Sequence, residues 1–453
     1  MIKKILSFGI IEGAAKALNV LMMLVLPFVA SVDLYAEINV LIAVQVIMVS
    51  IILFGMDRAI LRFLKEFNHS IFWASYFTLW LKIVFIIFPV FVLAYLYWYR
   101  DTDSMLTILI LSGLIFLQAL RQINIAKHRA NHYIKGFLRF RLLIQFFIFI
   151  FIIISVTFFK TINAFLIAYC FAIIPFVFRK IKPQKNLLKG RCKKIQRKLF
   201  AFSWPLVFHT IGSALMMSID RLMLNNFLEK QDVAIYSFGY TFGAAITFIY
   251  AVCNAYFEPK IITISQKNKD LRENALSSYT SVQLVLAAIA GILILWLSPY
   301  IISYFYNDLY LKSLPIIAVI LLTHFFNPIY LQSNFRLMNI KKTGFIALSS
   351  FISGGINIVL NFIFLKRGMG IMGAAYATFI SYLLLAIVIY FFSIRKAKVT
   401  LLTKDKVFLI CNITIITLGL LNLDSQLILT GLIFCLVILH IFNAKLILKP
   451  YKN

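Results

Sequence analysis

Ionisable residues interrupt stretches that are otherwise apolar. Glu12 and Lys16 lie four residues apart, so a helix puts them on one face, where they can pair. Asp57 is followed by Arg58, and Asp220 by Arg221. Lys82 has no ionisable neighbour nearby, and Glu258 closes another apolar run. Such a group at bilayer depth costs at least about 2.5 kcal/mol on insertion scales. One that stays there usually faces a cavity, where it can bind an opposite charge or carry a proton. Lys16 lies too deep to snorkel easily, which favours a cavity role. Glu258 is more simply explained as an interfacial group, and Arg58 and Arg221 can also reach the interface with their long stems. For Lys82 both accounts stand.

Other chemistry is missing. The six histidines show no H-E-x-x-H spacing, and the five cysteines include no C-x-x-C pair. No metal ligand set or disulfide is indicated. A G-K-[ST] phosphate loop is also absent. Gly368, Gly370 and Gly373 spell G-x-G-x-x-G, but no acid follows until Asp405, and a tight turn between two helices explains them. No catalytic residue and no cofactor emerges from these motifs.

The elements that must position the buried charges are transmembrane helices. Of 453 residues, 62% are hydrophobic and 13% charged, far from the roughly 45–50% and 25% of soluble chains. That excludes a soluble enzyme, a disordered chain and a disulfide-stapled domain. The apolar content suffices for about 14 helices of about 20 residues. The runs fall near 5–30, 38–56, 71–98, 104–126, 137–159, 161–178, 199–227, 233–257, 276–302, 311–334, 343–365, 370–392, 406–423 and 425–444. They are numbered as spans in that order. Helix is the expected state, because hydrocarbon offers backbone groups no water and the ten-residue alternation of barrel strands is absent.

The charge of +29 invites a nucleic-acid reading, but the cations are not scattered. Of 45, 36 fall in the termini and the even-numbered gaps, 6 in the odd-numbered gaps, and Lys16, Lys82 and Arg221 inside spans. The alternation holds across every span, so both termini are expected in the cytoplasm, with no nucleic-acid partner. Trp73, Trp98, Trp204 and Trp296 fall near span ends, as an aromatic belt requires; Trp80 sits deeper. Glu12 and Lys16 argue against reading the first span as a cleaved signal. The stretch 179–198 is the longest polar segment and separates six spans from eight. A solvated, topology-fixing loop is its simplest reading, although its charge also suits anionic headgroups.

Several motifs resemble polysaccharide flippases of the Wzx type. They are Gly55 to Phe63 (GMDRAILRF), Trp204-Pro205, and Asp220 to Leu224 (DRLML). Val233 to Ser237 (VAIYS) and Phe257-Glu258-Pro259 follow. The most specific are Asn357 to Asn361 (NIVLN) and Gly370 to Tyr382 (GIMGAAYATFISY). The match runs through spans 1–12; Ala36 departs from the family's usual glycine. The resemblance implies an all-α polytopic membrane protein of about 14 transmembrane helices. It implies two pseudo-symmetric six-helix lobes, 1–180 and 199–394, a basic linker at 181–198 and a C-terminal helix pair at 395–453. Spans 1, 2, 7 and 8 would line a central cavity. The implied cargo is an undecaprenyl-diphosphate-linked oligosaccharide, the repeat unit of O-antigen or capsule, crossing a bacterial inner membrane. Lys16, Arg58, Lys82 and Arg221 would hold the diphosphate. Glu12, Asp57 and Asp220 would balance them or carry a coupling ion from an H+ or Na+ gradient. A polysaccharide polymerase and a chain-length regulator are the implied protein partners. A drug exporter of the same superfamily would favour acids in its cavity, whereas a lipid II flippase differs mainly in substrate. A polytopic polymerase or glycosyltransferase would need a large outer loop or catalytic acids, and Asp101-Thr102-Asp103 lies in a loop too short for that.

Overall fold

A computed structural model describes residues 2–98, 102–177, 189–254, 257 and 269–397. The described residues are helical wherever they are regular. Spans 1 to 4 are the helices Ile2–Val29, Val32–Leu53, His69–Trp98 and Thr102–Ala130. A short helix, Met56–Phe63, follows span 2. Span 5 runs through Ile134–Leu138, a π-helical turn at Arg139–Leu143, and Ile144–Phe159; span 6 is Ile162–Val177. Span 7 is the long helix Lys189–Phe227, so residues 189–198, expected in the linker, continue into it. Span 8 is Lys230–Ala244 with a further helical run at 247–254. Span 9 is Lys269–Phe305. A 3-10 turn, Asp308–Ser313, leads into span 10, which breaks between Leu314–Phe325 and Asn327–Asn339. Spans 11 and 12 are Thr343–Lys366 and Gly370–Ala397. Eleven helical segments are long and apolar enough to cross a membrane, and span 6 is a shorter apolar helix. Spans 13 and 14 and Glu258 lie outside the described residues.

The packing repeats. Span 1 packs on 5, 2 on 4, 4 on 6 and 5 on 6; likewise 7 packs on 11, 8 on 10, 10 on 12 and 11 on 12. Two six-helix lobes with the same internal order result. They meet along span 2 with spans 7 and 8, span 3 with 7, and span 1 with 8. At the basic end of the bundle Lys198 reaches Glu66 at 3.0 Å. At the opposite end Lys230 reaches Glu37 at 2.5 Å, and the Tyr306 hydroxyl donates to the Leu24 carbonyl at 3.0 Å.

Without a hydrophobic drive between helices in lipid, close approach must come from small residues. Gly239 and Gly243 provide it between spans 8 and 10. A Cβ on Gly243 would stand 2.8 Å from the Ile320 Cβ and 2.9 Å from the Ile317 carbonyl. Gly212 does the same against Ser350 in span 11. Gly55 has a different task. Its φ of +66° follows Phe54 at +52°, and the two turn the chain out of span 2. Trp80 donates to the Ile52 carbonyl near that end at 3.2 Å and stacks on Phe116, which accounts for its depth. The break in span 10 also has a local cause. Pro328 lacks an N–H and its ring clashes with the carbonyl four residues earlier. That carbonyl, on His324, accepts the Tyr250 hydroxyl at 2.9 Å instead.

Gly243→Ala is expected to destabilise the bundle by about 1–3 kcal/mol through overpacking. Gly113, with open space around its Cβ position, is the control: Gly113→Ala within span 4 should stabilise by about 0.5–1 kcal/mol. Thermal midpoints of the purified proteins in detergent compare the two.

Candidate functional site

In the N-lobe a basic cluster forms where spans 1, 4 and 5 meet. Arg121, on span 4, is buried nine residues before the helix ends at Ala130, which is about 13 Å at 1.5 Å per residue. Its Nε donates to the Phe140 carbonyl at 3.1 Å and its Nη2 to Gln145 Oε1 at 3.1 Å. Phe140 lies in the π-helical turn, a feature frequent at functional sites. Gln145 in turn donates to Asn19 Oδ1 on span 1 at 3.3 Å. Arg141, in the same turn, faces Glu12 across the lobe. Its Nε and Nη2 donate to Glu12 Oε2 and Oε1 at 2.7 and 2.5 Å. Lys16 sits one helical turn along span 1 from Glu12, close enough to act on both Glu12 and Arg141. Lys16, Arg121 and Arg141 thus share Glu12, and the charge of Arg129 acts on the same carboxylate.

Arg121 and Arg141 were expected among the 36 loop cations; the structure places both within the helical bundle. Spans 104–126 and 137–159 already contained these positions, but counting charge by gap assigned them outward. Glu12 and Lys16, which their spacing lets pair, do act on each other, and the direct ion pair of Glu12 is with Arg141. That pairing is tertiary, between residues 129 apart in the chain, and no local spacing reveals it. Arg336, another expected loop cation, is also buried and donates to Glu273 Oε2 at 2.9 Å.

The C-lobe holds the opposite charge. Asp220 of span 7 is fully buried. Its Oδ2 accepts from the Tyr236 hydroxyl at 2.5 Å and from Thr378 Oγ1 at 2.9 Å, and its Oδ1 from Asn361 Nδ2 at 3.3 Å. The same Nδ2 lies 3.3 Å from Asn357 Oδ1, while Asn361 Oδ1 is buried without a hydrogen-bond partner. These donors are all neutral. Carboxylate, amide and hydroxyl oxygens gathered together can hold a proton or a hard cation such as Na+. The residues that cage Asp220 are those of the VAIYS, NIVLN and GIMGAAYATFISY motifs, so these motifs converge on one carboxylate. Arg221 points elsewhere. Its Nη1 donates to the Met217 carbonyl at 2.8 Å, and its guanidinium carbon lies 4.3 Å from the Tyr240 ring centre, a cation–π contact.

The remaining candidates stand apart. Arg58 is exposed and Asp57 half-buried in the first turn of Met56–Phe63. There an acid suits the helix dipole. Burial pushes the Asp57 carboxyl above its usual range, with the Arg58 charge opposing. Lys82 shares an exposed face of span 3 with Phe85 and Ile86, 75% and 71% exposed. Lys16, Arg58, Lys82 and Arg221 therefore do not form one cluster.

Two outcomes test these assignments. Asp220→Ala strands the Tyr236 and Thr378 hydroxyls, while Asn361 keeps Asn357, and should cost about 2–4 kcal/mol, whereas Asp220→Asn retains an acceptor and should cost less; thermal unfolding orders the pair. At the basic end, Lys198 holds the Glu66 carboxyl below its ordinary value of 4.5. A depressed carboxylate contributes fully above its unfolded value and is lost as pH falls through the lower folded one. The distance between spin labels placed beside Glu66 and Lys198 should therefore be steady above about pH 4.5 and lengthen in more acid solution. Glu66→Gln should remove that step.

The family model described as "Polysaccharide biosynthesis protein" matches residues 1–256, just over half of the chain. No curated protein matches the sequence. Among solved structures, the chain is similar to the lipid II flippase MurJ in an inward closed conformation. The TM-score is 0.67 at 18% identity, over 97% of this chain and 99% of that one. It is also similar to a multidrug resistance MATE family transporter of the MOP superfamily in an outward-facing conformation, with a TM-score of 0.56 at 14% identity. That match covers 87% of this chain and 96% of that one. At such identities the likeness is one of fold, and the two lobes with repeated packing are that fold. The chain belongs to the polysaccharide biosynthesis protein family and is a multi-pass membrane protein.

Proposed function

We propose that this protein is a flippase for an undecaprenyl-diphosphate-linked oligosaccharide, the repeat unit of O-antigen or capsule. The observation that carries the reading is the N-lobe cluster: Lys16, Arg121 and Arg141 against Glu12, inside a chain of a polysaccharide biosynthesis family. A diphosphate and its sugars cannot cross about 30 Å of hydrocarbon unaided. Cations in a cavity replace the lost hydration of the phosphates, while the lipid tail stays in the bilayer. Rocking of the lobes then presents the site to one leaflet after the other. The contacts at both ends of the lobe interface, Lys198 with Glu66 and Lys230 with Glu37, are ties that such rocking would break alternately.

Asp220 is the group we assign to the coupling ion, H+ or Na+, because its carboxylate and its amide and hydroxyl neighbours are buried together. The cation alternation supports a topology with both termini in the cytoplasm, which under this reading is that of a protein in a bacterial inner membrane. A polymerase and a chain-length regulator would receive the exported units. Lipid II shares the diphosphate and the lipid, so the MurJ-like fold suits it as a second cargo.

Transfer of a fluorescent polyprenyl-diphosphate oligosaccharide across proteoliposome membranes tests the reading. The wild-type protein should move it to the far leaflet, where a membrane-impermeant quencher no longer reaches it. Lys16→Ala should abolish transfer at unchanged protein levels. Full transfer by that variant would sink the role of Lys16. Comparison with a lipid II analogue decides the cargo.

A further inference from the structure

We propose that Glu12 occupies the cargo's phosphate position on Arg141, and that loading is an exchange of one anion for another. Identifying the incoming anion as a lipid diphosphate rests on the flippase reading; the exchange itself rests on geometry.

Arg141 meets Glu12 through two parallel N–H···O bonds, Nε to Oε2 at 2.7 Å and Nη2 to Oε1 at 2.5 Å. Carboxylate and phosphate both present paired oxygens to this planar fork, so each can replace the other. The pair is also reachable: the Arg141 side chain is 20% exposed and that of Glu12 30%. Behind it Arg121 is buried and tethered by a carbonyl and a glutamine, with no carboxylate among its hydrogen-bond partners. Lys16 lies beside Glu12 on span 1. With Arg129 also acting on Glu12, the cluster carries more cations than acids and keeps the Arg141 guanidinium masked. A diphosphate brings the missing negative charge and the same two-oxygen edge. Its arrival frees Glu12, which is carried on span 1, while Arg141 sits in the π-helical turn of span 5. Breaking that contact loosens span 1 from span 5, so occupancy and helix packing are linked.

The device also separates empty from loaded. An empty site without Glu12 would leave Arg141 half-buried and unpaired. That situation is costly, and it would bind any passing anion. With Glu12 present, a single phosphate oxygen pair must outcompete a carboxylate that is already in place. Only a ligand with further charge for Arg121 and Lys16 gains enough to do so.

Isothermal titration of the purified full chain with inorganic pyrophosphate tests the exchange. Glu12→Gln removes the competitor and keeps the shape, so it should bind pyrophosphate about tenfold more tightly than wild type. Adding Arg141→Lys to that variant removes the two-pronged fork and should reverse the gain. Unchanged or weaker binding by Glu12→Gln overturns the proposal. A purely structural ion pair would behave in that way, lowering only the thermal midpoint. If Glu12→Gln fails to fold, Glu12→Asp keeps the charge but shortens the reach, and should still tighten binding; no gain there overturns the proposal as well. Competition then identifies the source of the phosphate. A polyprenyl diphosphate in nanodiscs should displace pyrophosphate, and phosphatidylglycerol should not. Tightening by Glu12→Gln without displacement by polyprenyl diphosphate would keep the exchange and defeat the flippase cargo.

Discussion

Charge held inside hydrocarbon must be answered by neighbouring groups, because no water is present to answer it. Both lobes obey that constraint, in opposite senses. In the N-lobe Arg121 spends its donors on a carbonyl and a glutamine, and Arg141 spends its own on Glu12. In the C-lobe Asp220 spends its lone pairs on a tyrosine, a threonine and an asparagine. Each of these partners sits on a different helix from the charge it serves. The charges therefore fix which spans must touch, and the shared packing order of the two lobes supplies those contacts. Removing a charge unbalances its partners; moving a helix exposes the charge.

Much of this was legible from residue order. Helix lengths, the positions of spans 1–12 and the tight turn at Gly368 and Gly370 follow from apolar run length and turn chemistry, which are local properties. The pair Asp220–Arg221 was visible in the sequence, and so were the motifs around Asn357 and Thr378. What could not be read was who faces whom. Arg121 and Arg141 sit in stretches whose cations otherwise mark loop ends, so a tally by gap sends them outward. Both positions lie inside spans 104–126 and 137–159, and what residue order hides is the partners they meet there on spans 1 and 5. Asp220 and Arg221 show the converse. Adjacent positions on a helix are about 100° apart around its axis, so neighbours in sequence enter different surroundings.

The glycine contacts and the charge clusters do different work. Gly212 and Gly243 let helices within one lobe approach until backbone meets backbone or a side-chain stem, with no slack for a methyl group. Ridges so close favour motion of each lobe as a body. Between the lobes, helix packing of span 2 on spans 7 and 8 is joined at the two ends by exposed ion pairs, a tyrosine on a carbonyl and the ring contact of Phe28 with Tyr306. Exposed ion pairs contribute about 1 kcal/mol or less each. Under the proposed function, rocking would break these end contacts in turn while the packing inside each lobe is kept.

The division of sign between the lobes then has a mechanical meaning under the proposed function. An ion can drive a cargo only if it favours one arrangement of the protein over another. With the anion site on spans 1, 4 and 5 and the cation-competent carboxylate caged by spans 7, 8, 11 and 12, the two ligands share no side chain. They cannot compete directly, so coupling has to pass through the lobe interface. Spans 7 and 8 carry Asp220 and Tyr236, and these same spans pack against spans 1, 2 and 3 of the other lobe. Loading at Asp220 shifts that interface by way of spans 7 and 8; loading at Arg141 shifts it by way of span 1. The seam between the lobes is where the two effects add.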